Sequence, residues 1–208
     1  MITIYHLSTS RSERIVWLME ELGIEYKLER FQREQNGAAP DPLKAIHPLG
    51  KAPVIRDGET LLAESGAIVD YVVHRYGGGR LSVQPTDAAF ARYLYWLHFA
   101  EGSLMSLMLI ALVVSRMPDG SASPTGVRVL ARMKQMLSFV DAELVDGPYF
   151  AGAAFTAADV MMLFPFTTMR LFLDYDLVPY SNIIAYMHRI EARPAYRKAM
   201  ALAGAKAK

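Results

Sequence analysis

Segments with the pattern of β-strands are confined to the first third of this chain, and this restriction limits the folds that it can adopt. Apolar and β-branched residues at 2–5 and alternating apolar and charged residues at 26–31 predict two strands. Two apolar runs around Asp57-Gly58 predict a hairpin, because this dipeptide accepts the positive φ angles of a tight turn. Apolar residues at helical spacing predict helices after the first strand and after the hairpin, and Asp41 as N-cap with Pro42 at the first helical position predicts a short helix after the second strand. The predicted order is therefore β-α-β-α-β-β-α, a small α/β domain.

Beyond a short stretch of glycine, proline and polar residues, the strand patterns stop. We therefore predict an α/β domain over 1–78, a linker over 79–85 and an all-helical domain over 86–208. Apolar residues make up 52% of the chain, which is enough for a substantial core. Apolar periodicity predicts helices at 86–116, 126–145, 156–172 and 181–192, with a short one after Pro194.

The composition excludes several kinds of chemistry. The chain has no cysteine, so disulfides, thiolate metal sites and any reaction that needs a protein sulfur are excluded. The formal net charge is +1, with acidic and basic residues interspersed, so we expect no nucleic-acid partner and no anionic membrane partner. The five histidines are not closely spaced, and we predict no metal site.

The start of the chain does not have the features of a targeting signal. The stretch "MITIYHL" lacks a basic segment, a long apolar segment and a small-residue cleavage site, so we expect a cytoplasmic protein. The most apolar segment, Leu104 to Val114, is about half the ~20 residues that a membrane-spanning helix needs. We interpret it as a buried helix.

Four hydroxyl side chains follow the first predicted strand, in the stretch "HLSTSRSER". Ser8, Thr9, Ser10 and Ser12 precede a helical pattern, and any of them fits a helix N-cap. A hydroxyl beside a helix N-terminus is also well placed to donate a hydrogen bond to a bound anion. The residues alone leave both interpretations open.

The start of the third predicted helix is a second candidate site, in the stretch "AESGAI". The hydroxyl of Ser65 and the free N–H groups of the first helical turn suit a carboxylate ligand. A plain N-cap serine explains the same residues, and both interpretations can hold together.

The stretch "FTAADV" predicts a helix start of structural rather than chemical importance. Thr156 is placed to cap the helix, and Asp159 three residues later can accept a hydrogen bond from the Thr156 N–H. Pro165 should kink or end this helix, because proline lacks the N–H that the helix interior uses.

Four motifs together resemble the cytosolic glutathione transferases, in which a thioredoxin-like domain precedes a helical one. The stretch "HPLGKAPVI" is similar to that family's "NPxGxVPxL" and "AESGAI" to its Glu/Gln-Ser pair, while "FTAADV" looks like its helix cap and "ARPAYRKAM" like a frequent ending. The resemblance spans nearly the whole chain. It implies the glutathione transferase fold, glutathione as co-substrate and a homodimer.

The resemblance also implies roles for individual residues. Pro53 would follow a cis peptide bond, and the backbone of Ala52 would pair with the cysteinyl part of glutathione like an added strand. Ser65 would hold the γ-glutamyl carboxylate, and Glu64 would face the γ-glutamyl ammonium group. Lys51 would approach a glutathione carboxylate, although an exposed lysine without a ligand is an equal interpretation.

Serine-using members of that family keep the serine four residues before an arginine, and counting back from Arg14 leads to Ser10. A bacterial and fungal branch is the most similar. By this resemblance the Ser10 hydroxyl would donate a hydrogen bond to the glutathione sulfur and lower its thiol pKa, without acting as a nucleophile. Ser8 and Ser12 remain alternatives for this role, and Tyr5 is a minor one. Ser12 stands where the family pattern has proline.

The helical domain would hold the second substrate, a hydrophobic electrophile. Met105 and Met108 are weak candidates for its pocket, and core packing explains them as well. By resemblance, Glu101 would reach the glutathione of a second subunit, and Arg11 would either add positive potential near the thiol or remain solvated. The predicted function is conjugation of the glutathione thiolate to such electrophiles. The alternative is a glutathione-binding or scaffold module of the same fold without turnover.

Overall fold

Strands and helices separate along the chain as the apolar periodicity predicts. The structure, a computed structural model, describes residues 1–204. It has two compact units, one of Met1–Leu81 with the segment from Glu191 onward and one of Ser82–Ile190. The described strands all belong to the first unit.

The first unit has the predicted order β-α-β-α-β-β-α. Gly23 ends the first helix in the left-handed conformation (φ 63°, ψ 34°), as expected of a C-cap, and Gly58 (φ 56°) occupies the hairpin turn. The elements are β1 (Ile2–Leu7), α1 (Glu13–Leu22), β2 (Tyr26–Phe31), α2 (Asp41–Ile46), β3 (Val54–Asp57), β4 (Thr60–Ala63) and α3 (Ser65–Arg75).

The described strands form one four-stranded sheet in the order β2-β1-β3-β4. β2 lies parallel to β1, whereas β3 is antiparallel to both β1 and β4. Because side chains alternate across a strand, Tyr5 and Leu7 share one face, where they pack with Leu43 of α2 and Val54. His6 therefore lies on the opposite face of the sheet.

The second unit is helical in all of its described elements. α7 continues through Pro165 and ends one residue later, at Phe166. A π-helical segment, whose hydrogen bonds each span one residue more than in an α-helix, was not predicted. The elements are α4 (Phe90–Phe99), the π-helical segment (Ala100–Met105), α5 (Ser106–Arg116), α6 (Pro124–Glu143), α7 (Ala157–Phe166) and α8 (Ser181–Glu191), with 3₁₀ turns at Gly120–Ala122 and Thr168–Leu171.

The last helix, α9 (Pro194–Ala203), belongs to the first unit, so the structure differs from the predicted helical domain of 86–208. The helix packs on α1. The rings of Trp17 and Tyr196 meet edge to face with centroids 5.0 Å apart, and Arg193 donates two 2.7 Å hydrogen bonds to the Glu21 carboxylate. Apolar periodicity predicts that α9 exists, but it carries no information about which neighbour covers the helix. Residues 205–208 lie outside the described residues.

α4, the π-helical segment and α5 form one continuous helical stretch, Phe90–Arg116. In the described part of the chain it is the one helix that is long and apolar enough to cross a membrane, at 27 residues. Apolar periodicity predicts a helix over 86–116, close to the observed stretch, whereas its most apolar part, 104–114, has only about half the length that a membrane-spanning helix needs. Core helices of soluble proteins meet the same criteria of length and composition, so this feature assigns no membrane.

The capping box predicted at the start of α7 is confirmed. The N–H of Thr156 donates to Asp159 Oδ2 at 2.8 Å, and the Thr156 hydroxyl lies 3.1 Å from the same oxygen. The N–H of Phe150 donates to the other oxygen, Oδ1, at 3.0 Å. Burial raises the pKa of Asp159 to about 6, although these hydrogen bonds favour its charged form.

We predict that Asp159→Asn destabilises the protein by about 2–3 kcal/mol. Buried donors bond to both oxygens of the Asp159 carboxylate, whereas the amide of asparagine has only one acceptor oxygen. Thr156→Ser keeps the hydroxyl and should cost less than about 1 kcal/mol. Urea unfolding followed by far-UV circular dichroism measures both changes. An asparagine variant as stable as the wild type would contradict the assignment of both carboxylate oxygens.

Candidate functional site

The strand register brings the predicted site residues of the first unit to one edge of the sheet. Val54, the first residue of β3, pairs with Tyr5 near the carboxyl end of β1 and with Ala63 at the carboxyl end of β4. The segment before β3, the turn after β1 and the start of α3 after β4 therefore adjoin one another. Loop residues beyond strand ends can approach a common ligand, as they do in many α/β folds.

The segment before β3 presents backbone rather than side chains. The Ala52–Pro53 peptide bond is cis. Ala52 is half-buried. The pairing of β3 with β1 and with β4 begins at Val54, so the backbone of Ala52 forms no part of the sheet. Lys51 is exposed next to it. An extended peptide can pair with such a backbone segment as an added strand.

The start of α3 carries the most unusual backbone geometry among the predicted site residues. Glu64 is the N-cap residue and has φ 71° and ψ 124°, a region that residues with a side chain rarely adopt. Ser65 is the first residue of the helix and is buried. The structure thus places Glu64, and not Ser65, at the N-cap, while Ser65 stays beside the free N–H groups of the first turn.

The turn after β1, residues 8–12, is the hydroxyl turn, and it brings the side chains of two of its serines together. Ser12 occupies the N-cap position of α1, but its side chain makes no capping hydrogen bond and is fully buried (0% exposed). Ser10 is 6% exposed, and its hydroxyl donates to the Leu7 carbonyl at 2.7 Å. The two serine oxygens lie 2.7 Å apart. Ser8 is half-buried, and its N–H donates to the Phe31 carbonyl.

An arginine that the sequence did not single out secures this turn. Arg33, which follows β2, donates from Nε to the Ser8 carbonyl at 3.1 Å and from Nη2 to the Thr9 carbonyl at 3.1 Å. Thr9 between the serines has a positive φ of 53°. The guanidinium group satisfies carbonyls of a turn that the sheet ladders do not reach. No local pattern marks Arg33, because its contacts depend on the parallel pairing of β2 with β1.

A buried histidine was also missed as part of this region. His6 is 4% exposed, and its Nδ1 lies 2.8 Å from the Ser12 hydroxyl oxygen. Burial, with a smaller contribution from the charge of Arg30, lowers the pKa of His6 to about 4. The imidazole is therefore neutral at pH 7. Its position next to four hydroxyl residues is the only signal in the sequence that could have identified it.

Tyr5, a minor alternative for the thiolate donor, belongs to the core beneath the sheet. It is 8% exposed and packs with Leu7, Leu43 and Val54. Its hydroxyl accepts a 3.2 Å hydrogen bond from Nε of Arg56. These contacts support the core interpretation of this side chain.

The candidate residues in the helical unit differ in burial. Met105 and Met108 are 1% and 0% exposed, so both side chains lie in the core. Glu101 lies in the π-helical segment and is half-buried. Within residues 1–204, no group of three or more His, Asp or Glu side chains is suited to hold a metal ion.

Comparisons with known proteins match both units of this chain. Residues 1–74 match the family model of the glutathione S-transferase N-terminal domain, and residues 104–194 match that of the glutathione S-transferase C-terminal domain. Glutathione S-transferase 3 of Schizosaccharomyces pombe is 35% identical, over 95% of this chain and 86% of its own length.

Solved structures show the same similarity. A glutathione S-transferase from Actinobacillus pleuropneumoniae has a TM-score of 0.87 and 35% identity, covering 99% of this chain and 94% of its own. A glutathione transferase homologue from Sulfitobacter, solved with bound glutathione, has a TM-score of 0.78 and 25% identity, covering 97% and 98%.

The backbone at Glu64 yields a stability prediction. We expect Glu64→Gly to be more stable than Glu64→Ala by about 1 kcal/mol, because glycine tolerates the positive φ that alanine does not. The same pair of substitutions at Asp70, an exposed position within α3, should show the opposite order by about 1 kcal/mol. Urea unfolding measures all four variants. If Glu64→Ala were as stable as Glu64→Gly or more stable, as expected for Asp70→Ala over Asp70→Gly, residue 64 would not be strained.

Proposed function

Because this chain belongs to the glutathione S-transferase family, we propose that it binds glutathione at the sheet edge and adds the glutathione thiolate to a hydrophobic electrophile. The observation that carries the proposal is the register of β3, which places Ala52-Pro53 beside both the turn after β1 and the start of α3. Three segments that bind different parts of one extended tripeptide are thereby adjacent. The product of the reaction is a thioether.

The proposed contacts with glutathione follow from the chemistry of each segment. The backbone of Ala52 pairs with the cysteinyl backbone of glutathione, next to Pro53. Ser65 and the first-turn N–H groups of α3 hold the γ-glutamyl carboxylate, and the carboxylate of Glu64 faces the γ-glutamyl ammonium group. Lys51, which is exposed, pairs with a glutathione carboxylate.

We assign the thiolate donor to Ser10. A cysteine thiol has a pKa of about 8.5, so lowering it by about two units requires roughly 2.7 kcal/mol of preferential thiolate stabilisation. A hydroxyl donor at a helix N-terminus can supply energy of this size. Ser10 precedes α1, and its carbonyl accepts from the N–H of Glu13, the first residue of that helix.

Burial argues against one of the two rival hydroxyls, that of Ser12. Ser12 is fully buried, so it has no surface to offer a sulfur atom. Ser8 is half-buried and remains the alternative donor. On ligand binding the Ser10 hydroxyl would exchange the Leu7 carbonyl for the sulfur as its acceptor. A serine-type site of the bacterial and fungal kind is thus part of the proposal.

The electrophile pocket is assigned to the helical unit. Full burial favours core packing for Met105 and Met108, so we give them no direct contact with the electrophile. Because the chain has no cysteine, exchange between glutathione and a protein thiol is excluded. A cytoplasmic location remains a prediction.

The inward hydrogen bond of Ser10 favours a second candidate function. A hydroxyl whose proton already has an internal acceptor is a weaker donor to a ligand, which would suit a glutathione-binding module without turnover.

Retention on immobilised glutathione together with turnover of a chloronitroaromatic substrate supports the enzyme. Retention without turnover supports the module, and the absence of both contradicts both functions.

We predict that Ser10→Ala raises the thiol pKa of bound glutathione by about one to two units, because one charge-assisted hydrogen bond is lost. Ser8→Ala, the matched control, should leave that pKa unchanged. Ultraviolet absorbance of the thiolate as a function of pH measures both. If Ser8→Ala raises the thiol pKa and Ser10→Ala does not, the donor is Ser8.

We further propose that the protein is a homodimer whose contact includes one face of α5. Leu109, Ile110 and Val113 lie on this face at helical spacing and are 42%, 52% and 61% exposed. Adjacent exposed apolar side chains of this kind mark an interaction surface.

The expected result is that Val113→Glu dissociates the dimer, because a carboxylate would be buried in an apolar contact. Ser115→Glu adds the same charge about 200° around the helix and should leave the dimer intact. Size-exclusion chromatography with light scattering measures both. A monomeric wild type that floats with lipid vesicles would instead assign this face to a membrane.

A further inference from the structure

Three buried side chains form a continuous chain of hydrogen bonds beneath the hydroxyl turn. His6 Nδ1 lies 2.8 Å from Ser12 Oγ, and Ser12 Oγ lies 2.7 Å from Ser10 Oγ. The three residues are 4%, 0% and 6% exposed. The chain therefore links the end of β1 to the side chain that we assign as thiolate donor, without passing through solvent.

Two backbone N–H groups and one carbonyl complete the network. The N–H of Leu7 donates to Ser12 Oγ at 3.2 Å, and the N–H of Ser12 donates to Ser10 Oγ at 3.3 Å. The Leu7 carbonyl accepts from the Ser10 hydroxyl at 2.7 Å and lies 3.3 Å from Ser12 Oγ. Each hydroxyl has one proton to donate and two lone pairs that accept.

A proton on His6 Nδ1 determines the direction of every hydroxyl in the chain. Nδ1–H then donates to Ser12 Oγ, which with the Leu7 N–H fills both lone pairs of that oxygen. The Ser12 proton then goes to Ser10 Oγ at 2.7 Å, which is closer than the Leu7 carbonyl at 3.3 Å. Ser10 Oγ also receives the Ser12 N–H, so that both of its lone pairs are filled as well. The Ser10 proton is left for the Leu7 carbonyl or for a ligand.

A proton on the other ring nitrogen leaves the chain undetermined. His6 Nδ1 would then accept the Ser12 proton, and Ser10 could turn its own proton toward Ser12 Oγ. Hydrogen bonds in such a chain also polarise one another, so a donor behind each oxygen strengthens the next hydrogen bond. The tautomer of one buried imidazole thus decides how well Ser10 donates outward.

We propose that His6 and Ser12 are positioning residues that direct the Ser10 proton toward the glutathione sulfur, with His6 in the Nδ1–H form. This inference rests on the proposed function, because it requires Ser10 to be the thiolate donor. His6 is neutral at pH 7, so its ring carries a single N–H, and the position of that proton on Nδ1 or Nε2 sets the direction of the chain. Neither residue touches the substrate.

The test measures the thiol pKa of bound glutathione in three variants. His6→Phe fills the same space without a donor, Ser12→Ala interrupts the chain in the middle, and His6→Asn places an amide N–H near the position of Nδ1. We expect the first two to raise the thiol pKa by about 0.5 to 1 unit, or about threefold to tenfold less thiolate at a given pH. The KM for glutathione should stay within about twofold, because the contacts to the tripeptide are unchanged. His6→Asn should restore the wild-type pKa.

A wild-type thiol pKa in folded His6→Phe or Ser12→Ala, while Ser10→Ala raises it, would overturn the inference but leave the proposed function intact. No change in Ser10→Ala would refute the donor assignment itself and the inference with it. Nitrogen NMR of the ¹⁵N-labelled wild-type protein provides a measurement that does not depend on variants folding. A proton on His6 Nδ1 supports the inference, and a proton on Nε2 overturns it.

Discussion

The pairing of β3 with both β1 and β4 is the interaction on which the candidate site depends. Val54 faces Tyr5 on one side and Ala63 on the other, and every proposed glutathione contact in the first unit lies within a few residues of these three. Val54 and Ile55 are both fully buried, on opposite faces of β3, so a shift of one residue would bring the exposed Arg56 into a buried position. The buried Val54 and Ile55 therefore set the position of Ala52-Pro53 as firmly as they set the core.

The turn after β1 has an unusual concentration of buried polar groups. His6, Ser10 and Ser12 are each buried, and burial of polar atoms is tolerated only when they are hydrogen-bonded. Here they bond to one another and to the backbone of Leu7, which closes the network at one end of the sheet. The same contacts that make this arrangement stable also orient a hydroxyl next to a helix N-terminus. Structure and proposed chemistry thus use the same hydrogen bonds.

Local features of the sequence predicted local features of the structure. Gly23 ends α1, Asp57-Gly58 turns between β3 and β4, and Thr156 with Asp159 starts α7, because each depends on residues only a few positions apart. Predictions that depend on how the chain packs in three dimensions were less successful. Ser12 reaches the N-cap position but turns its hydroxyl inward to His6, and α9 packs on α1 rather than with the helical unit. The contacts of Arg33 and His6 were not predicted either: Arg33 reaches the turn after β1 from the end of the neighbouring strand β2, and His6 meets Ser12 because the chain turns back after β1.

The sequence by itself determined the order of the elements, the division between a strand-containing and a helical region, and the residue types available at the sheet edge. It also determined that no protein thiol takes part in the chemistry. Only the tertiary structure decided that Ser10 and Ser12 are buried while Ser8 and Thr9 are half-buried, and that His6 forms a hydrogen bond with Ser12. The physical reason is that periodicity and capping depend on neighbours in the chain, whereas burial and hydrogen-bond direction depend on strands that the register brings together.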